Sequence, residues 1–346
     1  MFKFRILMLF SLALLFSSPA SAFQCQQGFR PVTTYSQPYT YSYSQPRAQV
    51  QPRTYSQPTY SQPSFNQQQA RTTTSRVASG SFGNFGTSSL PVVDPVFQTN
   101  NPNSPYRVDH SSWNQFLSRN VVNDSQGVSR VSYGRVSGQD RQLLGGYLQR
   151  LQNTDIRTLN RNEQFAYWVN LYNARTIALV LDNYPVQSIQ QINNGRAFDT
   201  PGAVTVLGKS LSLNDIETGI VRPVWNDPRL HYAFNCAAYG CPNLSRTAYT
   251  GQNANATLNQ AASAFINSDR GVRRTANGLE VSKIYDWYKA DFGGTDQGVI
   301  SHISQYANPA TQAKIGGQTT IQNYYYDWRL NDASDYGGQV FSQTGY

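Results

Sequence analysis

The stretch NRNEQFAYWVNLYNARTIALVLDNYP, residues 160–185, limits the possible folds more than any other part of the chain. Apolar side chains recur at Phe165, Ala166, Trp168, Val169, Leu171, Tyr172, Ile177, Val180 and Leu181, almost all the way round a helical wheel. A helix without a polar face cannot rest on a surface and has to sit inside a core. Asn160 supplies a cap, Glu163 falls at the third helical position as in a capping box, and Pro185 stops the run. The spacing predicts one buried helix over about 161–183, around which the remaining elements must be layered.

Those layers are legible on either side. An amphipathic pattern over about 139–151 predicts an earlier helix. AVTVLGKSLSL (203–213) alternates around Gly208 and reads as a hairpin, and LNDIETGIV after Ser212 as a short helix. LHYAFNC (230–236) and GLEV (278–281) read as strands, SKIYDWYKADF (282–292) and TDQGVISHISQYA (295–307) as helices, and IQNYYYDWRL (321–330) as a closing strand. Helices come first and strands mainly later, at hairpin-like spacing. That order predicts an α+β class, with the buried helix packed on an antiparallel sheet.

The remainder of the chain is of a different kind. Residues 1–22 carry Lys3 and Arg5, an apolar run of about a dozen residues and a small-residue end at Ala20-Ser21-Ala22, the pattern of a cleaved signal peptide. The apolar run is too short to span a bilayer comfortably, and no later segment is long enough, so an exported chain in the periplasm or beyond is expected, not membrane-spanning after cleavage. Over 23–105 the chain is rich in Tyr, Ser, Gln and Pro, with YSQP repeated from Tyr35, Tyr43, Tyr55 and Tyr60. So few aliphatic groups cannot offset the entropy of ordering, which predicts a mobile, partly extended tether. Globular composition begins near Tyr106 and predicts one domain over 106–332, with a loose polar tail over 333–346.

Charge narrows the partners. The formal net charge of +9 belongs mostly to the leader and tether, because residues 106–346 hold 21 basic against 18 acidic groups. A basic folded surface for nucleic acid is therefore not expected. An envelope ligand or cell-wall polymer is the expected partner, with weak attraction of the tether to anionic polymer or lipid. Glycine-rich phosphate loops and dinucleotide fingerprints are absent from the sequence, so no nucleotide cofactor is expected.

One stretch concentrates reactive side chains: DPRLHYAFNCAAYGCPNL, residues 227–244. As a strand or as a helix, five residues point His231 and Cys236 apart, so they do not form a local base–nucleophile pair. His231 and Asn235 fall together in both, which makes Asn235 the candidate for orienting the imidazole. Cys236 and Cys241 flank AAYG, whose Gly240 lets the loop fold back within disulfide range. Export supplies an oxidising compartment, so a disulfide is preferred to a zinc site at this C-x4-C spacing. Cys25 is left over in the tether.

Taken together and in order, DHSSWNQFL (109–117), NEQFAYWVNLYNA (162–174), YPVQSI (184–189), LSLNDIE (211–217), DPRLHYAFNCAAYGCPNL, SKIYDWYKADF and YDWRLND (326–332) resemble a family catalogued as domain of unknown function 547. The resemblance runs over about 106–332 and leaves the YSQP segment without a counterpart. That family has no assigned reaction. A distant likeness to papain and transglutaminase-like folds is the alternative expectation. In papain-like enzymes a Cys starts the buried helix, whereas this helix begins Asn160-Arg161-Asn162-Glu163.

The remaining candidates lie on the buried helix. Glu163 and Asn170, seven residues apart, share a face, and Asn173 lies beside it. Each has a plain structural role open to it: Glu163 in the capping box, the two amides in hydrogen bonds to nearby backbone. The sharper expectation makes Asn170 and Asn173 ligand-facing and pairs Glu163 with His231, oriented by Asn235, as a proton-transfer dyad. That describes a non-metal hydrolase or transferase of the envelope. The alternative is a non-catalytic binding or scaffold module. His110 and His302 have weaker claims.

Overall fold

The computed structural model describes residues 94–334. The leader over 1–22, Cys25, the YSQP repeats and almost all of the tail lie outside the described residues. In chain order the regular elements are α1 (Ser111–Asn120), β1 (Val121–Asn123), β2 (Ser129–Val131), α2 (Gly138–Gln152), α3 (Arg161–Asn183), β3 (Val204–Val206), β4 (Lys209–Leu211), α4 (Arg222–Trp225), α5 (Ala254–Ile266), β5 (Val272–Thr275), β6 (Gly278–Ser282), α6 (Ile284–Trp287), α7 (Asp296–Tyr306), α8 (Pro309–Ile315) and β7 (Asn323–Tyr325). The class is α+β.

The apolar wheel of α3 does what its sequence requires. Its side chains are buried from Glu163 through Ala174 and again at Thr176, Ile177 and Leu179 to Leu181. Asn160 Oδ1 accepts the Glu163 N–H at 3.0 Å, which caps the helix, and the chain leaves it through a cis peptide at Tyr184–Pro185. Trp113 and Tyr147 stack on each other, and Phe97 meets Trp168 edge-on at 5.6 Å. Phe97 corrects the tether boundary. Residues 94–105 pack on the domain, with Asn101 N–H donating to Leu159 and Asn160 to the Ser104 carbonyl.

The strands form three small sheets rather than one. β1 pairs with β2 and β3 with β4, both antiparallel, and the β3–β4 turn places Leu207 and Gly208 at φ +51° and +74°. β5 and β6 are antiparallel, but β7 joins β6 in parallel. A second apolar cluster forms on that sheet from Phe265, Val281, Tyr285, Phe292 and Ile303. Leu230 belongs to the cluster around α3 and Tyr232 to the one on the sheet. His231 lies between them in sequence, at the seam of the two cores.

Several expected elements differ. LHYAFNC is not a strand: Pro228–Tyr232 forms a 3-10 turn, because Asp227 caps it and Pro228 occupies its first position. SKIYDWYKADF breaks into α6 and a 3-10 turn, Lys289–Phe292, ended by Gly293 at φ +94°. LNDIETGIV contains a π-helical turn, Asp215–Val221. Of IQNYYYDWRL only Asn323–Tyr325 is strand, and the rest makes single bridges, Ser188 to Arg329 and Ala238 to Leu330.

Candidate functional site

The 3-10 turn rotates His231 inward, where the ring is almost fully buried. Its Nε2 lies 2.8 Å from Asp291 Oδ2. Asp291 is itself held by Arg222, whose Nε and Nη2 donate to its two oxygens at 2.8 and 3.1 Å. Burial would raise the Asp291 carboxyl, but the bonds from His231 and Arg222 outweigh it and hold the group far below the usual carboxylate range. Tyr288 stacks on the imidazole with centroids 4.0 Å apart, and the Arg222 guanidinium lies over the same phenol.

The other ring nitrogen meets a second carboxylate. Glu217 Oε1 stands 3.6 Å from His231 Nδ1, beyond hydrogen-bond range, and Nδ1 has no hydrogen-bond partner. Glu217 comes from the π-helical turn, a local geometry often found at functional sites. Burial first, and the Glu217 charge second, push the phenols of Tyr172, Tyr288 and Tyr326 far up, so all three stay protonated. The arrangement is a buried imidazole with carboxylates on both sides and a rim of phenols. It can hold a proton on the imidazole or pass one between the two carboxylates.

Glu163 takes its contacts elsewhere. Its Oε1 accepts the Gly251 N–H at 3.2 Å and pairs with Arg107 Nε at 3.3 Å, while Oε2 has no hydrogen-bond partner. A Cβ on residue 251 would stand 2.7 Å from Oε1, so this approach requires glycine. Among the described residues no hydrogen bond or ion pair joins Glu163 to His231, and the two do not share a partner.

The amides of α3 bind backbone. Asn170 clamps Tyr249, donating to its carbonyl at 2.7 Å and accepting its N–H at 3.1 Å. Asn173 accepts the Asn235 N–H and donates to the Ala233 carbonyl, both at 2.9 Å. Asn235 does not reach the imidazole. Its Nδ2 donates to the Pro242 carbonyl at 2.7 Å, and its Oδ1 accepts from Ala237 N–H at 3.1 Å and Asn331 Nδ2 at 3.2 Å. Together these amides fasten the segment 233–250 onto α3. His110 bonds Tyr147 and His302 bonds Tyr232, and burial pushes both imidazoles down to about 4.

Cys236 and Cys241 form a disulfide, so neither sulfur serves as a zinc ligand or thiolate in this state. The loop between them is sewn to the C-terminal segment. Tyr239 N–H donates to Arg329, Gly240 N–H to Asp327, and Asn331 N–H to Ala237. Gly240 comes so close that a Cβ there would lie 2.8 Å from the Asp327 nitrogen.

Glu217, Asp291 and Arg222 escaped the sequence reading. Glu217 offered a signal, a carboxylate inside the apolar run IETGIV, which a buried helix must neutralise or pair. Asp291, 60 residues from His231, offered none.

The fold and this cluster define an α+β domain with a buried imidazole held between two carboxylates. The model of the family described as Protein of unknown function, DUF547 matches residues 156–266. That match falls within the span of the resemblance, over a shorter stretch than 106–332, one that includes α3, Glu217, His231, Cys236 and Cys241 but not Asp291. Comparison with curated proteins gives no match, and neither does comparison with solved structures. The papain and transglutaminase-like alternative is without support.

Proposed function

We propose that this chain is an exported hydrolase or transferase of the cell envelope whose proton-transfer group is His231. Asp291 orients the imidazole and Glu217 faces its free nitrogen. The observation that carries the reading is the one-sided hydrogen bonding of the ring. Nε2 is fixed by Asp291 at 2.8 Å, while buried Nδ1 keeps its bonding capacity open toward Glu217. The ring itself is closed to solvent, but the side chains of Glu217 and Asp291 are 12% and 25% exposed, so a substrate would meet the carboxylate rim. Glu163 and Asn235 would then be positioning residues, acting through the loops they hold. Export is supported by the leader pattern and by a disulfide that suits an oxidising compartment.

The test is incubation of the mature chain with purified cell-wall sacculi and an amide and ester panel, scoring newly released primary amines and acids. His231→Gln and Glu217→Gln should abolish release, while Glu163→Gln should keep the pH profile of the parent. Equal release by His231→Gln would overturn the proposal. The alternative, a binding or scaffold module, has its own supporting feature: an open surface depression lined by Tyr106, Asp109, Arg150, Asn153 and Asp155. Sacculus binding without turnover, lost on Tyr106→Ala and unaffected by His231→Gln, would favour it.

A further inference from the structure

The disulfide is surrounded as a reactive bond would be. The Tyr326 hydroxyl lies 2.8 Å from Cys236 Sγ and 3.1 Å from Cys241 Sγ. Since bonded sulfurs carry no proton, the phenol is the donor to both. The Cys236 N–H also donates to Cys241 Sγ, at 3.0 Å. Arg270, buried beside this loop, donates to the Cys241 carbonyl at 2.5 Å and makes no ion pair among the described residues. Burial lowers its guanidinium to about 10, which still leaves it charged at neutral pH.

The two sulfurs are not equivalent. Cys236 is half-buried and Cys241 fully buried. Half-buried Trp287 and Trp328 flank Tyr326, with centroids 4.8 and 4.6 Å from it, and give the accessible side an aromatic wall. A disulfide kept only for stability does not need donors on its leaving sulfur. Exchange does, because a sulfur leaves faster when its thiolate is stabilised.

We propose that Cys236–Cys241 is a thiol–disulfide exchange site, in which an incoming thiolate attacks Cys236 Sγ and Cys241 leaves as the stabilised thiolate. The attacking sulfur bonds to Cys236, the S–S bond breaks, and its electron pair stays on Cys241, where the Cys236 N–H and the Tyr326 hydroxyl hold it. Arg270 supplies the nearby positive charge. A second thiolate of the partner then attacks the partner sulfur of the mixed disulfide and displaces Cys236, which takes a proton from solvent. Two partner thiols are oxidised to one disulfide and the protein's disulfide is reduced to two thiols. The reverse uses the same atoms. This site shares the Tyr326 phenol with the rim around His231 but uses none of His231, Glu217 or Asp291, so either reading can fail alone.

The experiment uses the oxidised full chain carrying Cys25→Ser, at pH 7.5. One arm receives reduced glutathione and the other a short peptide with one cysteine between apolar residues. Both are quenched in acid, alkylated and mapped by peptide mass, with the same protein unfolded in urea as comparator. The native disulfide should react about tenfold faster than the unfolded one, with the adduct on Cys236. Tyr326→Phe should slow the native reaction about tenfold and leave the urea rate unchanged. Reaction with glutathione identifies small thiols as partners, and reaction with the peptide alone identifies protein thiols. A native disulfide that reacts more slowly than in urea, or an adduct on Cys241, overturns the proposal. Neither readout depends on how Tyr326→Phe folds.

Discussion

Asn235→Ala removes one small side chain and breaks three buried contacts at once. The Pro242 carbonyl, the Ala237 N–H and the Asn331 amide each lose a partner, and residue 235 is 2% exposed. A buried polar group left unpaired costs about 1–3 kcal/mol. One water entering the vacated space can satisfy part of the set. The balance predicts a loss of about 4 kcal/mol, near the upper end for a single substitution. In a domain of this size that corresponds to a fall in Tm of roughly 8–16 °C. The loop should loosen as well, because the Asn235 side chain accepts from Ala237, which sits at φ +61° without being glycine. Urea unfolding of the Cys25→Ser chain, with and without Asn235→Ala, measures the loss. Asn235→Asp should be no milder, since it keeps the acceptor but removes the donor to Pro242 and buries a charge. A loss below about 1 kcal/mol in Asn235→Ala would refute the reasoning and mean that water replaces the network.

Two further expectations follow from the burial of single groups. His110 and His302 are held down to about 4, below the ordinary value near 6.5, so the folded state favours their neutral forms. Their contribution is full above pH 6.5 and is lost as pH falls to 4, about 3 kcal/mol per histidine, and urea midpoints that stay flat from pH 7 to 4.5 would contradict this. Gly251→Ala drives a Cβ to 2.7 Å from Glu163 Oε1 and should cost about 1–3 kcal/mol in thermal unfolding, with Glu163→Gln in the same background relieving little of it.

The parts of the fold written into neighbouring residues were legible. α3 announced itself through its apolar wheel and its cap, the β3–β4 hairpin through alternation about Gly208, and the disulfide through the short loop with Gly240 between Cys236 and Cys241. LHYAFNC misleads because its alternation over seven residues competes with the Asp227-Pro228 start signal just upstream, and capping chemistry wins. The site was half visible. His231 stands out, but the conspicuous acid on the core helix, Glu163, makes its contacts with Gly251 and Arg107 instead. The true partners depend on tertiary packing. A π-helical turn brings Glu217 to the ring, and the 3-10 turn that follows α6 brings Asp291. No spacing rule links a histidine to an acid 60 residues away.

The segment 323–332 also sets an order of events. Its backbone pairs with β6, and then with residues 131, 187–188 and 237–240 in turn. Those four places are far apart in the chain. Each of them leaves synthesis before the strip that closes them. Until residue 332 arrives, the cysteine loop lacks its backbone partners, and the cysteines must meet on a half-assembled surface or wait. Maturation of such a chain is therefore timed from its carboxyl side, and a stop just before this strip should leave a molecule with both apolar clusters begun and neither sealed.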